Sequence, residues 1–290
     1  MSQLAPWRLI VVTNRGPYRF VNTKQGPRLE KTVGGLTSAL LPLLEKIGGV
    51  WLASGEPPGR HANLFGRLPF ALRYLELSEE EMDNYYYGFA NSALWPLAHY
   101  FLGRADFRRD QWLVYDQVNQ KFADAVLEEA HPSDVIWVHD YHLTRVPFYL
   151  RQARPTMPIA FFWHIPFPSP EMFRTLPSCR EILAGLLACD LVGFHIREYA
   201  KNFSAAAEEI LGATVIGTTL TAGARTWRSG NCTSSECSCI WARASSLAMA
   251  DAFRIDAAKS SSIATLPSGV SHAPRAITET GFPSPVWFGP

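Results

Sequence analysis

Within the first 215 residues, apolar runs of strand length alternate with amphipathic stretches of helical length, and this alternation constrains the fold more than any other feature. The strand-length runs are 8–13, 49–53, 71–77, 135–139, 159–165 and 191–195. Most are continuously apolar, the pattern of parallel strands covered on both faces. Helical spacing fills the intervals at 36–47, 79–89, 111–129, 143–153, 180–189 and 197–211. In the longest of these, Trp112, Tyr115, Val118, Phe122 and Val126 recur at helical spacing, and Asp110 stands where a cap is needed. Ser78 followed by Glu79, Glu80 and Glu81 is the signature of a capping box with acids on the first turn. The order predicts an α/β, Rossmann-like doubly wound sheet, in which ligands bind at the carboxyl ends of the strands.

Composition narrows the class further. A chain of 290 residues has room for about two domains. With 47% hydrophobic and 18% charged residues it is globular rather than disordered. The 27 basic residues balance 26 acidic ones, which argues against a nucleic-acid or membrane-surface partner. No apolar run reaches the ~18–20 residues of a bilayer span. The start of the chain carries Arg8 as its only basic residue, and Leu9–Val12 is too short for a secretory signal, so the expected location is the cytoplasm. The five cysteines, Cys179, Cys189, Cys232, Cys237 and Cys239, do not form a disulfide framework. The spacing of the last three matches no recognised zinc pattern, so no metal and no cofactor are expected.

The composition changes near residue 215. Residues 1–215 hold 17 Ser and Thr, whereas the 75 residues from 216 to 290 hold 20. Several prolines and no sustained periodicity follow Phe253. The expected organisation is a domain over 1–215 and, over 216–290, a poorly structured Ser/Thr-rich tail that is not a domain.

Chemistry is therefore sought just after each strand. Arg15 follows the first run, where a guanidinium either grips a phosphate or sits in a surface turn. Gly34-Gly35 precede a helix, which suits either phosphate on bare backbone amides or a simple turn. The aromatic stretch from Tyr85 to Pro96 offers sugar-stacking faces or core packing. In His139-Asp140-Tyr141-His142, Asp140 could accept from sugar hydroxyls or act as a base, while the two histidines lack the spacing of a metal pair. His164 ends another buried run, before a loop stiffened by Pro166 and Pro168, and is either structural or catalytic. No nucleophile elbow is present.

Taken in order, these strings resemble the trehalose-6-phosphate synthase family of retaining glycosyltransferases. The matching stretches are Val12-Thr13-Asn14-Arg15, Gly34-Gly35-Leu36, Gly49-Val50-Trp51, Tyr85 to Pro96 with His99-Tyr100, Trp137 to Leu143, Phe162 to Pro170, Phe173 to Pro177 and Asp190 to His195. The resemblance covers about residues 8–215 and implies the N-terminal, acceptor-side half of a GT-B pair of Rossmann-like domains. It implies transfer of glucose from a nucleotide sugar, usually UDP-glucose, to glucose 6-phosphate, giving trehalose 6-phosphate with retention and without a metal. By resemblance, Arg15 contacts the acceptor phosphate, Tyr86 and Trp95 are acceptor-binding aromatics, and Asp140 is the acceptor hydroxyl ligand. Gly34 and Gly35 close over the donor, His164 stands beside the donor glucose, and Trp51 matches an aromatic of the acceptor side. Catalysis falls to His164 and Asp140, by front-face displacement rather than through the paired carboxylates of retaining glycosidases.

The family's second half should bring a strand followed by Arg, then Leu-Asp-x-x-Lys-Gly, and an acidic donor-binding motif. Neither string occurs in residues 216–290. The expectation is a truncated or frame-shifted product with little or no transferase activity of its own. Two other readings fit the residues: a glucosylglycerol-phosphate synthase using ADP-glucose and glycerol 3-phosphate, and a non-catalytic sugar-phosphate-binding module, which could form a homo-oligomer through its uncovered face.

Overall fold

The computed structural model describes residues 7–23, 26–56, 68–216, 219–222, 225–230 and 238–242. Parallel strands β1 (Leu9–Arg15), β4 (Val50–Ser54), β5 (Ala71–Leu75), β6 (Val135–His139), β7 (Ile159–Trp163) and β8 (Leu191–Phe194) lie in the order β5-β4-β1-β6-β7-β8. A separate antiparallel hairpin, β2 (Tyr18–Thr23) with β3 (Gly26–Lys31), projects after β1. Its polar strands gave no apolar run, which is why the sequence pattern missed it.

The helices cover both faces. On β1 the side chains alternate between two cores: Ile10 and Val12 face the larger, Leu9 and Val11 the smaller. The smaller core is closed by α1 (Gly35–Ile47) through Leu40, Leu41 and Leu44. Over the larger core lie α4 (Arg109–Glu129), α5 (Val146–Ala153), α7 (Cys179–Leu186) and α8 (Arg197–Leu211). The short helix α6 (Pro170–Phe173) is capped by Ser169.

Of the two helix starts read from the sequence, one is found as expected and one is not. The capping box at Ser78 is present: its hydroxyl accepts from the Glu81 amide, and the Glu81 carboxylate accepts from the Ser78 amide. Asp110, in contrast, is not a cap. The helix α4 starts at Arg109, and Asp110 lies inside its first turn, paired with Arg108 at 2.6 Å.

The stretch expected to end at Phe89 runs on. After α2 (Glu79–Glu81) the chain continues in wide, π-type turns over Met82–Leu94 and finishes in α3 (Trp95–Ala98). Gly88 inside it departs from helical geometry (φ −74°, ψ −106°).

Beyond residue 213, four short antiparallel strands, β9 (Thr214–Ile216), β10 (Thr219–Ala222), β11 (Arg225–Gly230) and β12 (Ser238–Ala242), continue the sheet from β8 in the order β12-β11-β10-β9. The rest of the Ser/Thr-rich tail, with Cys232 and Cys237, lies outside the described residues. Among the described residues, no helix is long and apolar enough to cross a membrane.

Candidate functional site

The carboxyl ends of β1, β6 and β7 carry Arg15, Asp140 and His164 of the residues singled out from the sequence. Arg15 closes β1 with its side chain exposed, beyond a register shift between Thr13 and Arg15. Its guanidinium donates to the Tyr86 hydroxyl at 2.6 Å and lies 5.2 Å from the centre of that ring. Tyr86 in turn stacks on His142, with centroids 5.3 Å apart and planes 10° from parallel.

The wide turns of Met82–Leu94 fix where the three tyrosines point. Tyr85 is fully buried and donates to the Asn14 side-chain oxygen at 2.9 Å. Tyr86 is partly covered on the site, and Tyr87 is exposed. A single wide segment thus anchors itself to β1 through one ring and presents the next to Arg15.

Asp140 follows β6 and holds the single turn Tyr141–Leu143 by accepting from the Tyr141 amide at 2.9 Å. Its backbone sits at φ 76°, ψ 159°, a region that residues with a side chain rarely occupy. Burial pushes its carboxyl up to about 7, although the backbone amides of Tyr141 and His164 donate to it and pull the other way. His142 Nδ1 approaches the same carboxylate at 3.8 Å, too far for a hydrogen bond. Burial, with the Arg15 charge, lowers His142 to about 3, so that imidazole is neutral.

Trp95, on the same helical stretch as Tyr86, stacks on His99 at 4.0 Å and lies 6.2 Å from the Phe101 ring. The chain beyond it is tied to the loop after β7, where the Ser169 amide donates to the Tyr100 hydroxyl at 2.8 Å.

Gly34 and Gly35 lie exposed at the N-terminus of α1, with open space where a Cβ would stand on either. His164 follows β7 and meets two other imidazoles: His139 Nδ1 lies 3.0 Å from His164 Nε2, and the His195 ring stands edge-on with centroids 5.4 Å apart. Burial lowers His164 well below the ordinary histidine range and His139 to about 3, so both are neutral.

Trp51 is a correction to the sequence reading. It is fully buried in the smaller core against α1, on the face of the sheet opposite the Tyr86 helix, and its indole donates to the Thr13 hydroxyl at 2.7 Å. An aromatic in the middle of a parallel strand packs between sheet and helix, and cannot reach a ligand at the strand end.

The structure therefore brings Arg15, Tyr86 and Asp140 together through His142, which the sequence considered only as a metal ligand. Asn14 and His139 were also missed as partners, of Tyr85 and His164 respectively. The signal available was position: His139 closes its strand, and His164 and His195 each fall just beyond theirs. The cluster can grip an anion, stack a ring, accept from a hydroxyl and offer neutral imidazoles to developing charge. It offers no activated nucleophile.

Comparison with known proteins shows which proteins the chain is similar to. The family model described as glycosyltransferase family 20 matches residues 7–231. The bifunctional trehalose-6-phosphate synthase/phosphatase of Thermoproteus tenax is 42% identical over 237 residues, covering 77% of this chain and 32% of the relative. The trehalose-6-phosphate synthase of Mycolicibacterium vanbaalenii is 38% identical over 212 residues, 71% of this chain and 43% of the relative. Among solved structures, one from E. coli described as bound with UDP-2-fluoro glucose superposes with a TM-score of 0.64 at 32% identity, covering 76% of this chain and 47% of that one. The Burkholderia xenovorans alpha,alpha-trehalose-phosphate synthase (UDP-forming) in complex with glucose-6-phosphate gives 0.64 at 29% identity, covering 76% and 48%. The chain thus spans less than half the length of each of these proteins.

Proposed function

The chain belongs to glycosyltransferase family 20, and from that premise we propose that residues 1–215 form the acceptor-side half of a retaining hexosyltransferase of trehalose biosynthesis. The reaction is transfer of glucose from UDP-glucose to glucose 6-phosphate, giving α,α-trehalose 6-phosphate in the cytoplasm. The observation that carries this reading is the contact chain from Arg15 through Tyr86 and His142 to Asp140: a cation, a stacking ring and a hydroxyl acceptor along one stretch of strand ends.

In this reading Arg15 takes the acceptor phosphate, and Tyr86 and Trp95 offer aromatic faces to its ring. Asp140 accepts a hydrogen bond from an acceptor hydroxyl and so fixes the orientation of the attacking oxygen. Gly34 and Gly35 admit the donor close to backbone amides at the start of α1. His164, being neutral, donates to the donor sugar without opposing the positive charge that develops at its anomeric carbon.

The bond from that carbon to the diphosphate oxygen breaks, and its electron pair leaves with UDP. The acceptor oxygen bonds to the same face, and its proton passes to the departing phosphate oxygen. No covalent sugar–enzyme intermediate forms, in keeping with a cluster that offers no activated nucleophile among the described residues.

Titration calorimetry tests the reading directly. Glucose 6-phosphate is expected to bind the purified chain, and more tightly than glycerol 3-phosphate. Arg15→Ala is expected to weaken that binding by about 10- to 100-fold, the range of a lost hydrogen bond to a charged group. Preferential binding of glycerol 3-phosphate would transfer the proposal to a glucosylglycerol-phosphate acceptor. No binding of either would end it.

A further inference from the structure

His139, His164 and His195 lie side by side at the ends of adjacent strands. All three belong to the face of the sheet covered by α1. The register that pairs His139 with Phe162, and Phe162 with Gly193, carries the row across. Phe162 forms its floor, with its ring centroid 4.6 Å from that of His164 and 5.1 Å from that of His195. That floor exists because residue 193 is glycine: a Cβ there would stand 2.7 Å from the Phe162 ring.

The hydrogen-bond accounting at His139 selects one tautomer. Its Nδ1 faces His164 Nε2 at 3.0 Å, while its own Nε2 is buried without a partner. If Nδ1 were the acceptor, the proton would sit on Nε2, leaving a buried N–H with nothing to donate to. A buried unpaired donor is the rarer and costlier defect, and an unpaired ring lone pair is better tolerated. The proton therefore sits on Nδ1, and Nδ1–H donates to His164 Nε2. Both rings are neutral, so a shared proton is not in question.

From this we infer that His139 is a positioning residue: its Nδ1–H holds His164 in the Nδ1–H tautomer, fixing both the ring plane and the nitrogen left to donate to a ligand. Free neutral histidine prefers the opposite tautomer, so the contact reverses an intrinsic preference. The role of His164 toward the donor sugar rests on the function proposed above, whereas the tautomer itself does not.

Long-range proton–nitrogen correlation spectra of the histidine rings, recorded on the intact chain near pH 8, test this. In the unaltered protein His164 is expected to carry its proton on Nδ1, with Nε2 showing no attached proton. His139→Leu removes the donor, and His164 is expected to shift to a mixture rich in the Nε2–H form. His139→Asn places an amide N–H close to where Nδ1 stood, and is expected to restore the Nδ1–H form. Amide spectra of each variant confirm the fold, and the asparagine variant supplies the comparison if the leucine one does not fold.

An Nε2–H tautomer in the unaltered protein, or a His164 tautomer that ignores both substitutions, overturns the inference. UDP-glucose titrated into the same sample separates it from the proposed function. A normal tautomer with no shift of the His164 resonances would refute the donor contact alone. Shifts at a His164 held in the Nε2–H form would refute the positioning role alone.

Discussion

Asp140 concentrates two kinds of cost in one residue. Its backbone lies where only glycine is comfortable, and its carboxyl is buried enough to titrate at about 7 instead of 3.8. Backbone outliers of this kind cost of order 1–3 kcal/mol and persist where function holds them. The sign of the pH effect follows from the raised value. Between about pH 4 and 7 the folded state keeps a proton that the unfolded chain has lost, so stability falls as pH rises through that window. Asp140→Asn is expected to flatten this slope, leaving the variant more stable than the parent at pH 8 by on the order of 2–4 kcal/mol. Asp140→Gly is expected to be stabilised as well, since it also releases the backbone, although it gives up the hydrogen bond to the Tyr141 amide. Urea unfolding at pH 5 and pH 8 measures both. Both variants should lose glucose 6-phosphate binding, because the carboxylate that destabilises the fold is the proposed hydroxyl acceptor. A parent whose stability is level across that range would mean that the carboxyl is not buried as described.

The wide helical segment Met82–Leu94 shows what could and could not be read one element at a time. Its start was legible, since Ser78 and Glu81 form a local box that needs nothing from the rest of the chain. Its end was not. Helical spacing was lost at Phe89, yet the chain runs on through Gly88, a packing glycine: a Cβ there would meet the Gln111 side chain at 2.8 Å and the Asp83 carbonyl oxygen at 3.0 Å. That contact with Gln111 is tertiary, and invisible from helical spacing. For the same reason Trp51 passed for a site residue: it has the right chemistry, and only the packing of the sheet assigns its place. Asp110 passed for a cap because helical spacing does not fix the first residue of a helix, which starts at Arg109. The parallel strands, by comparison, were plain, because burial on both faces leaves a continuous apolar run. Gly88→Ala puts propensity and packing in opposition. Alanine gains roughly 1 kcal/mol as a helix former, but overpacking against neighbours that include a backbone carbonyl costs typically 1–3 kcal/mol. The expected outcome is net destabilisation by about 1 kcal/mol in urea unfolding, with weaker glucose 6-phosphate binding as Tyr86 is displaced. An alanine variant more stable than the parent would show that the segment yields easily at this point.

At the scale of the molecule, the sheet carries two kinds of machinery at one edge. In the proposed function Arg15, Tyr86 and Asp140 serve the acceptor, and the glycine pair at α1 with His164 serves the donor sugar. What the 290-residue sequence does not contain is the Arg and Leu-Asp-x-x-Lys-Gly string that the resemblance leads one to expect, whose two cations would face a departing diphosphate. Acceptor binding and turnover should therefore separate. Holding the acceptor supplies orientation only when the donor is held in line with it. Removing one preorganised stabiliser of transition-state charge typically costs ~10²–10³ in rate, and a missing pair of cations exceeds that. Purified alone, the chain is expected to bind glucose 6-phosphate while releasing UDP from UDP-glucose at least ~10³-fold more slowly than a full-length relative. Glucose 6-phosphate should also leave its affinity for UDP-glucose unchanged, since coupling between the two ligands requires contacts that favour both together. A coupled UDP-release assay run beside calorimetry reads both quantities. Turnover approaching that of a full-length relative would show that leaving-group stabilisation resides in this half of the fold, and the acceptor-side assignment would have to give way to a complete active site.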